Sequence, residues 1–250
     1  MQDRRELIKK VLHNEPAERI PVGFWFHFLT DDQLNIGVMH PELMQKNYAG
    51  HKAYIEAFDP DFVKVMTDGL FCRPANTMPA VYTAKDLYDF APLPHDHAYF
   101  AASVELARTV RGYAGQDRMM FYNIFSPLFN LTRYLNDSSE LHTVNAFLQE
   151  DPEAVRHALE VLGQDMAHLA QIVMRDGTAD GIYYSVNDCQ RVIAPETYQR
   201  IVMPSELAVL EAANALGEYQ LLHICGYHGA QNYLELYRDY PVAAFNWAVH

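Results

Sequence analysis

Two residues in the stretch Leu221-Leu222-His223-Ile224-Cys225-Gly226 have the types and the spacing for metal chemistry. On a β-strand successive side chains leave opposite faces, so His223 and Cys225 project from one side and Leu222 and Ile224 from the other. Imidazole and thiolate are preferred ligands of Zn²⁺. With a third ligand from elsewhere, one coordination position stays open for substrate, which is the layout of a catalytic rather than a structural zinc. The same spacing also fits a hydrogen-bonded histidine beside a cysteine that packs as a small hydrophobe. What separates the two readings is the element that carries the pair and the groups around it.

The chain has 250 residues, half of them hydrophobic, enough for one large α/β domain or two small ones. No apolar run approaches the length of a membrane span, and the opening Met1-Gln2-Asp3-Arg4-Arg5-Glu6 leads into an amphipathic helix, so a cytoplasmic protein is expected. Three cysteines do not make a disulfide framework. A formal charge of −13 without any basic run counts against nucleic acid and against an anionic membrane surface as partners, leaving a small-molecule substrate.

Six segments read as strands buried on both faces: Pro21–Phe28, Phe62–Gly69, Arg118–Phe125, Gly181–Asn187, Leu221–Gly226 and Val242–Val249. Helical stretches alternate with them. Leu7, Ile8, Val11 and Leu12 share one face of a first helix that suits the floor of a barrel, Glu42 to Phe58 forms a second, and Pro195 to Leu216 a long one with a kink expected at Pro204. Four prolines between Phe71 and His97 predict an excursion with one short helix near Ala84 to Tyr88. Ser139 and Asp151 are placed to cap helices. Strand and helix in alternation predict a parallel sheet with right-handed crossovers. A doubly wound sheet would usually show a glycine-rich phosphate turn, and there is none. The expected fold is therefore a (β/α)₈ TIM barrel, a single domain over residues 1–250, with about six of its eight units present. An open six-stranded sheet exposes unpaired edges. Either the natural chain continues past His250 or a partner or second copy covers the open side, as in a homodimer.

Chemistry in such barrels gathers at the C-terminal ends of the strands. There the sequence places Cys72, Cys189 and Cys225 together with His27, Asp68, Asn187, Asp188 and His223. Alternation puts Phe62, Lys64, Met66 and Asp68 on the inward face, so Asp68 is the candidate catalytic carboxylate at the barrel mouth. Trp25, His27, Asn123, Asn187 and Asn246 are the candidate substrate-binding residues, and His223 and Cys225 the candidate metal ligands. Cys72 and Cys189 also fit buried or loop thiols. His13, His40, His51, His142, His157 and His168 are expected at the surface.

Several motifs resemble the uroporphyrinogen decarboxylase superfamily, which includes the corrinoid-linked zinc methyltransferases. They are Arg19-Ile20-Pro21-Val22-Gly23, Val65-Met66-Thr67-Asp68-Gly69, Ser126-Pro127, His223-Ile224-Cys225-Gly226 and Phe245-Asn246-Trp247, spread over nearly the whole chain. The resemblance implies a (β/α)₈ barrel and, for Asp68, the position of the aspartate that contacts pyrrole nitrogens in the decarboxylases. The two arginines that grip substrate carboxylates after the first strand are missing from Phe26-His27-Phe28-Leu29-Thr30, and a polycarboxylate would be poorly held without them. The methyltransferase branch is the better match. Its zinc ligands imply roles for His223 and Cys225, with a third protein ligand expected beyond residue 250. There Zn²⁺ would bind a thiol as thiolate for attack on a methylated corrinoid carried by a corrinoid protein.

Three functions follow as expectations. The first is zinc-dependent methyl transfer from a corrinoid to a thiol. The second is cofactor-free decarboxylation of a porphyrinogen or smaller acid, with Asp68 stabilising a protonated intermediate and rim arginines such as Arg73, Arg133 and Arg191 replacing the missing pair. The third is a non-catalytic accessory barrel.

Overall fold

Five of the six expected strands pair with one another in the computed structural model, which describes residues 3–137, 141–186, 193–226 and 232–247. They are β1 (Phe62–Val65), β2 (Met119–Phe125), β3 (Gly181–Val186), β4 (Leu221–Ile224) and β5 (Ala244–Trp247), hydrogen-bonded in chain order. Every neighbouring pair is parallel. Parallel neighbours in sequence order need a crossover outside the sheet each time, and this is how a partial TIM barrel is built. Helices α2 (Pro41–Phe58), α3 (Ala98–Ala114), α4 (Pro127–Tyr134), α5 (His142–Glu150) and α6 (Pro152–Arg175) supply the outer cover. Every residue of β3, and all but the last of β2, is buried, as the continuous apolar runs required.

The core has two layers. On the outside Met120, Tyr122 and Ile124 of β2 and Ile182, Tyr184 and Val186 of β3 pack against the helices. On the inside Met119, Phe121 and Tyr183 pack on Ile8 of α1 (Arg4–Leu12), which plugs the barrel floor as expected. Asp3 starts that helix by accepting hydrogen bonds from the Arg5 and Glu6 amides. The floor is also tied by charge. Asp180 accepts from the Met120 amide (2.8 Å) and pairs with Arg111 (2.6 Å) and Arg5, while Arg19 grips Asp61 through both terminal nitrogens (2.6 and 2.5 Å).

The expected first strand does not form, so the six adjacent strands become five. Segment 21–28 is apolar, but side chains capture the amides that a ladder would use. Val22 N donates to Asp61 (2.8 Å), Phe24 N to the Tyr54 hydroxyl (3.0 Å), and Phe28 N and Leu29 N both donate to Asp68 Oδ2 (2.5 and 3.1 Å). Phe24, Trp25 and Phe26 are consequently part-exposed instead of covered on both faces. The long helix is also divided. Pro204 cannot donate into the preceding turn, and the chain passes from α7 (Pro195–Thr197) through a π-helical turn at Tyr198–Val202 into α8 (Met203–Asn214). The short helix at Ala84–Asp89 is 3₁₀, and a 3₁₀ turn at Leu234–Tyr237 precedes β5. Asp151 caps α6 through the Ala154 amide (3.1 Å), whereas the expected cap Ser139 lies outside the described residues. No described helix is long and apolar enough to cross a membrane.

Candidate functional site

His223 and Cys225 stand at the C-terminal end of β4. His223 is in register with Asn246 of β5, and their side chains meet with Nδ1 2.6 Å from Oδ1. A carbonyl oxygen can only accept, so His223 carries its proton on Nδ1 and Nε2 keeps a lone pair. An outer hydrogen bond of this kind fixes the tautomer of a metal-ligating or basic imidazole. Burial, helped by the charge of nearby Lys64, lowers the His223 pKa to about 4, so the ring is neutral at physiological pH. Cys225 follows on the same face; its amide continues the ladder to Val186 O (2.8 Å) and its carbonyl accepts from Asn232 Nδ2 (2.9 Å). Among the described residues no group of three His, Cys, Asp or Glu side chains is placed to hold a metal.

Lys64 of β1 is the residue that a reading of charged positions at strand ends overlooks. It lies mid-strand on the inward face and is only 4 % exposed. Its Nζ sits 4.1 Å from the Tyr183 ring centroid and 4.6 Å from that of Trp25, between two aromatic faces. No hydrogen-bond acceptor or carboxylate within ion-pair reach is recorded for it among the described residues. Burial pulls its pKa down to about 7, against the opposing pull of Cys225 and Asp68. The signal was available: a lysine within Phe62-Val63-Lys64-Val65-Met66 breaks an otherwise apolar strand, and period two points it into the barrel.

Trp25 closes over this wall, 5.5 Å from the Tyr183 ring and 6.4 Å from that of His223. Asn123 is 1 % exposed and in register with Tyr183. Its Oδ1 accepts from Ser185 Oγ (3.0 Å), and its Nδ2 has no acceptor among the described residues. Trp25, Asn123, His223 and Asn246 thus share one inward wall with Lys64 and Tyr183. Asn187, Asp188, Cys189 and Arg191 lie outside the described residues.

Asp68 is completely buried and turned onto the 27–29 backbone instead of standing open at the mouth. One oxygen holds the two amides already named, and the other accepts from His27 Nδ1 (3.0 Å). That bond raises the His27 pKa and leaves the imidazole as the group presented to solvent. The Asp68 backbone is itself held. Asn47 Nδ2 donates to Met66 O (3.0 Å) and Asp68 O (2.9 Å), and His51 Nε2 accepts from Met66 N (3.0 Å) while its Nδ1 donates to Asn47 O (3.0 Å). His51 is therefore fully buried, not at the surface as expected, because its α2 face packs on the end of β1 and both its nitrogens find backbone partners. Cys72 is a buried thiol whose pKa is pushed up to about 12 by burial, which removes it as a nucleophile. Arg73 does not stand in for the missing substrate arginines. It is buried, and its donors are spent on Asp165 (2.8 Å), Ala91 O (2.8 Å), Thr77 O (2.7 Å) and Thr77 Oγ1 (2.9 Å).

A methyltransferase from Methanosarcina mazei superimposes with a TM-score of 0.66 at 16% sequence identity, over 97% of this chain and 75% of that one. At that identity the likeness establishes the fold. No curated protein shows significant sequence similarity. The family model for uroporphyrinogen decarboxylase (URO-D) matches residues 66–250, which take in Asp68, Asn123, His223, Cys225 and Asn246, and the chain accordingly belongs to the uroporphyrinogen decarboxylase family.

Proposed function

We propose that the protein is a zinc-dependent methyltransferase that moves a methyl group from a corrinoid, presented by a corrinoid protein, to a small thiol. The observation that carries this reading is the His223–Asn246 hydrogen bond beside Cys225, which leaves an imidazole Nε2 and a thiol on one inward face. His223 and Cys225 would hold Zn²⁺, together with a third donor from outside the described residues. When bound, the metal lowers the pKa of a thiol substrate so that a thiolate nucleophile is present at neutral pH.

The chain's own residues have separate tasks in this reading. Asn246 keeps the His223 proton on Nδ1, away from the ligand position. The low His223 pKa means that no proton competes for Nε2 near neutrality. Trp25 and Tyr183 line the wall and keep water from it. The Asp68–His27 pair holds the 27–29 backbone beside the mouth. Arg73, committed to Asp165, gives the decarboxylase alternative no substrate grip.

Elemental analysis of protein purified without chelator tests the proposal. One zinc per chain is expected, lost in Cys225→Ala together with methyl transfer from methylcobalamin to a thiol, while the variant still unfolds cooperatively. Wild-type protein that contains no zinc and takes none up ends this reading.

A further inference from the structure

Holding the 27–29 backbone occupies only one oxygen of Asp68; the other is taken by His27 Nδ1 at 3.0 Å. The carboxylate is sealed, while 56 % of the His27 side chain is exposed. A carboxylate only accepts, so the His27 proton sits on Nδ1 and Nε2 keeps a lone pair. The two amides on Asp68 Oδ2 stop the carboxylate from turning away from the ring. Among the described residues nothing hydrogen-bonds to Nε2. Side chains alternate along 24–28 although no strand forms. Phe24 and Phe26 pack on Phe58 of α2 (6.0 and 5.5 Å), and Phe28 packs on His51 (4.7 Å). The residues between them leave on the inward side, Trp25 to within 6.4 Å of the His223 ring and His27 onto Asp68 and Phe71. The charge of Lys64 acts on His27 and His223 alike, so one ammonium lies within electrostatic reach of both rings.

We infer that His27 is a general base, its ring oriented by Asp68 so that Nε2 takes a proton from the substrate at the barrel mouth. A base held by a third group is the arrangement that proton transfer requires, and an imidazole returns its proton to water near neutral pH. Which proton it takes rests on the thiol-transfer reading, where it is that of the acceptor thiol. The S–H bond breaks and its electron pair stays on sulfur, which forms the new bond to the methyl group. The bond from methyl to its carrier breaks with that pair left on the carrier, and the proton passes from Nε2 to water. The Asp68 bond is the main cause that raises the His27 pKa; burial and Lys64 oppose it and Asp31 adds to it. His27 acts only when neutral, so the rate should fall as the pH drops through a value above about 6.5. Lys64, brought down to about 7 by burial, titrates in the same range, so variants must assign this limb.

The test follows methyl transfer from methylcobalamin to 2-mercaptoethanol by zinc-loaded protein, from about pH 5.5 to 8.5. His27→Asn sets an amide nitrogen where Nδ1 stands, which keeps the bond to Asp68 but provides no base. It should lower kcat about a hundred- to ten-thousandfold, leave KM near the wild-type value and flatten the acid limb. In His27→Ala, added imidazole should restore part of the rate, which a merely structural histidine would not allow. Circular dichroism checks that each variant is folded. Wild-type kcat in folded His27→Asn, or no rescue of His27→Ala by imidazole, overturns the base. Wild-type protein that transfers no methyl group ends the thiol-transfer reading instead, and the base is then decided by diethyl pyrocarbonate, which carbethoxylates neutral imidazoles. Followed by peptide mass, His27 should react with an inflection above about pH 6.5 that moves down in Asp68→Asn. The same inflection in both proteins, or no reaction at His27, overturns it.

Discussion

His223 shows how one neighbour sets the chemistry of a side chain. An imidazole with both nitrogens free to exchange protons would offer Nε2 only part of the time. With Nδ1 donating to Asn246 Oδ1 at 2.6 Å, one tautomer is held, and burial keeps it neutral. Asn246→Ala should therefore lower zinc affinity by about ten- to a hundredfold, the usual effect of losing an outer partner of a ligating histidine, whereas Asn246→Asp should hold the metal at least as tightly. Competition against a chromophoric chelator measures both. Identical affinity in wild type and Asn246→Ala would show that the hydrogen bond does not prepare the ring.

At the scale of elements, β1 and α2 are locked by His51 and Asn47, which bind the backbone at the point where β1 gives way to the site. His51 can serve only as a neutral ring, because Nε2 must accept from Met66 N. Its pKa is accordingly depressed to about 4, with burial the chief cause. The unfolded chain binds that proton near the ordinary value of about 6.5, so acid favours unfolding through this group. Its contribution is intact above about pH 6.5, is lost as the pH falls towards 4, and changes no further below that. The gap between these values corresponds to about 3 kcal/mol. His51→Gln, whose side-chain oxygen can still accept from Met66 N, should cost stability at pH 7 but lack this acid sensitivity. Urea unfolding at pH 7, 5.5 and 4.5 should show the difference between the two proteins narrowing. Parallel curves would mean that His51 is not the titrating group.

Across the whole molecule, the two ends of the partial barrel divide the work. The N-terminal end concentrates paired charges, with Arg5, Arg111 and the Met120 amide on Asp180 and Arg19 on Asp61, under the Ile8 plug. Towards the C-terminal end Asn123 Nδ2 has no acceptor among the described residues, and His223 is held by a single side-chain hydrogen bond to Asn246. Barrels commonly separate stability and chemistry in this way. Asp180→Ala leaves the buried Arg111 guanidinium without its carboxylate and should cost about 3 kcal/mol in urea, with zinc content unchanged. A loss below about 0.5 kcal/mol would show that the backbone carbonyls of Gly115, Arg118 and Thr178 suffice for Arg111.

Alternation of apolar strands and amphipathic helices determined the parallel α/β barrel, because doubly buried runs have nowhere to lie except between helices, and the five segments that pair are those the pattern marks. Period two likewise placed His223 with Cys225, and Lys64 with Asp68, on the inward face. What sequence could not decide is who captures each hydrogen-bonding group. Segment 21–28 has a strand's composition, yet Asp61, Tyr54 and Asp68 take its amides from positions about 30 to 40 residues away. His51 resembles a surface histidine until α2 docks on β1, and Asp68 resembles an open catalytic carboxylate until the 27–29 amides fold onto it. Lys64 interrupts an apolar strand in the sequence, but only the fold shows that its ammonium lies between the rings of Tyr183 and Trp25. Local periodicity specifies which face a side chain leaves from. Only the tertiary structure sets the partner it meets there, because that partner comes from a distant part of the chain.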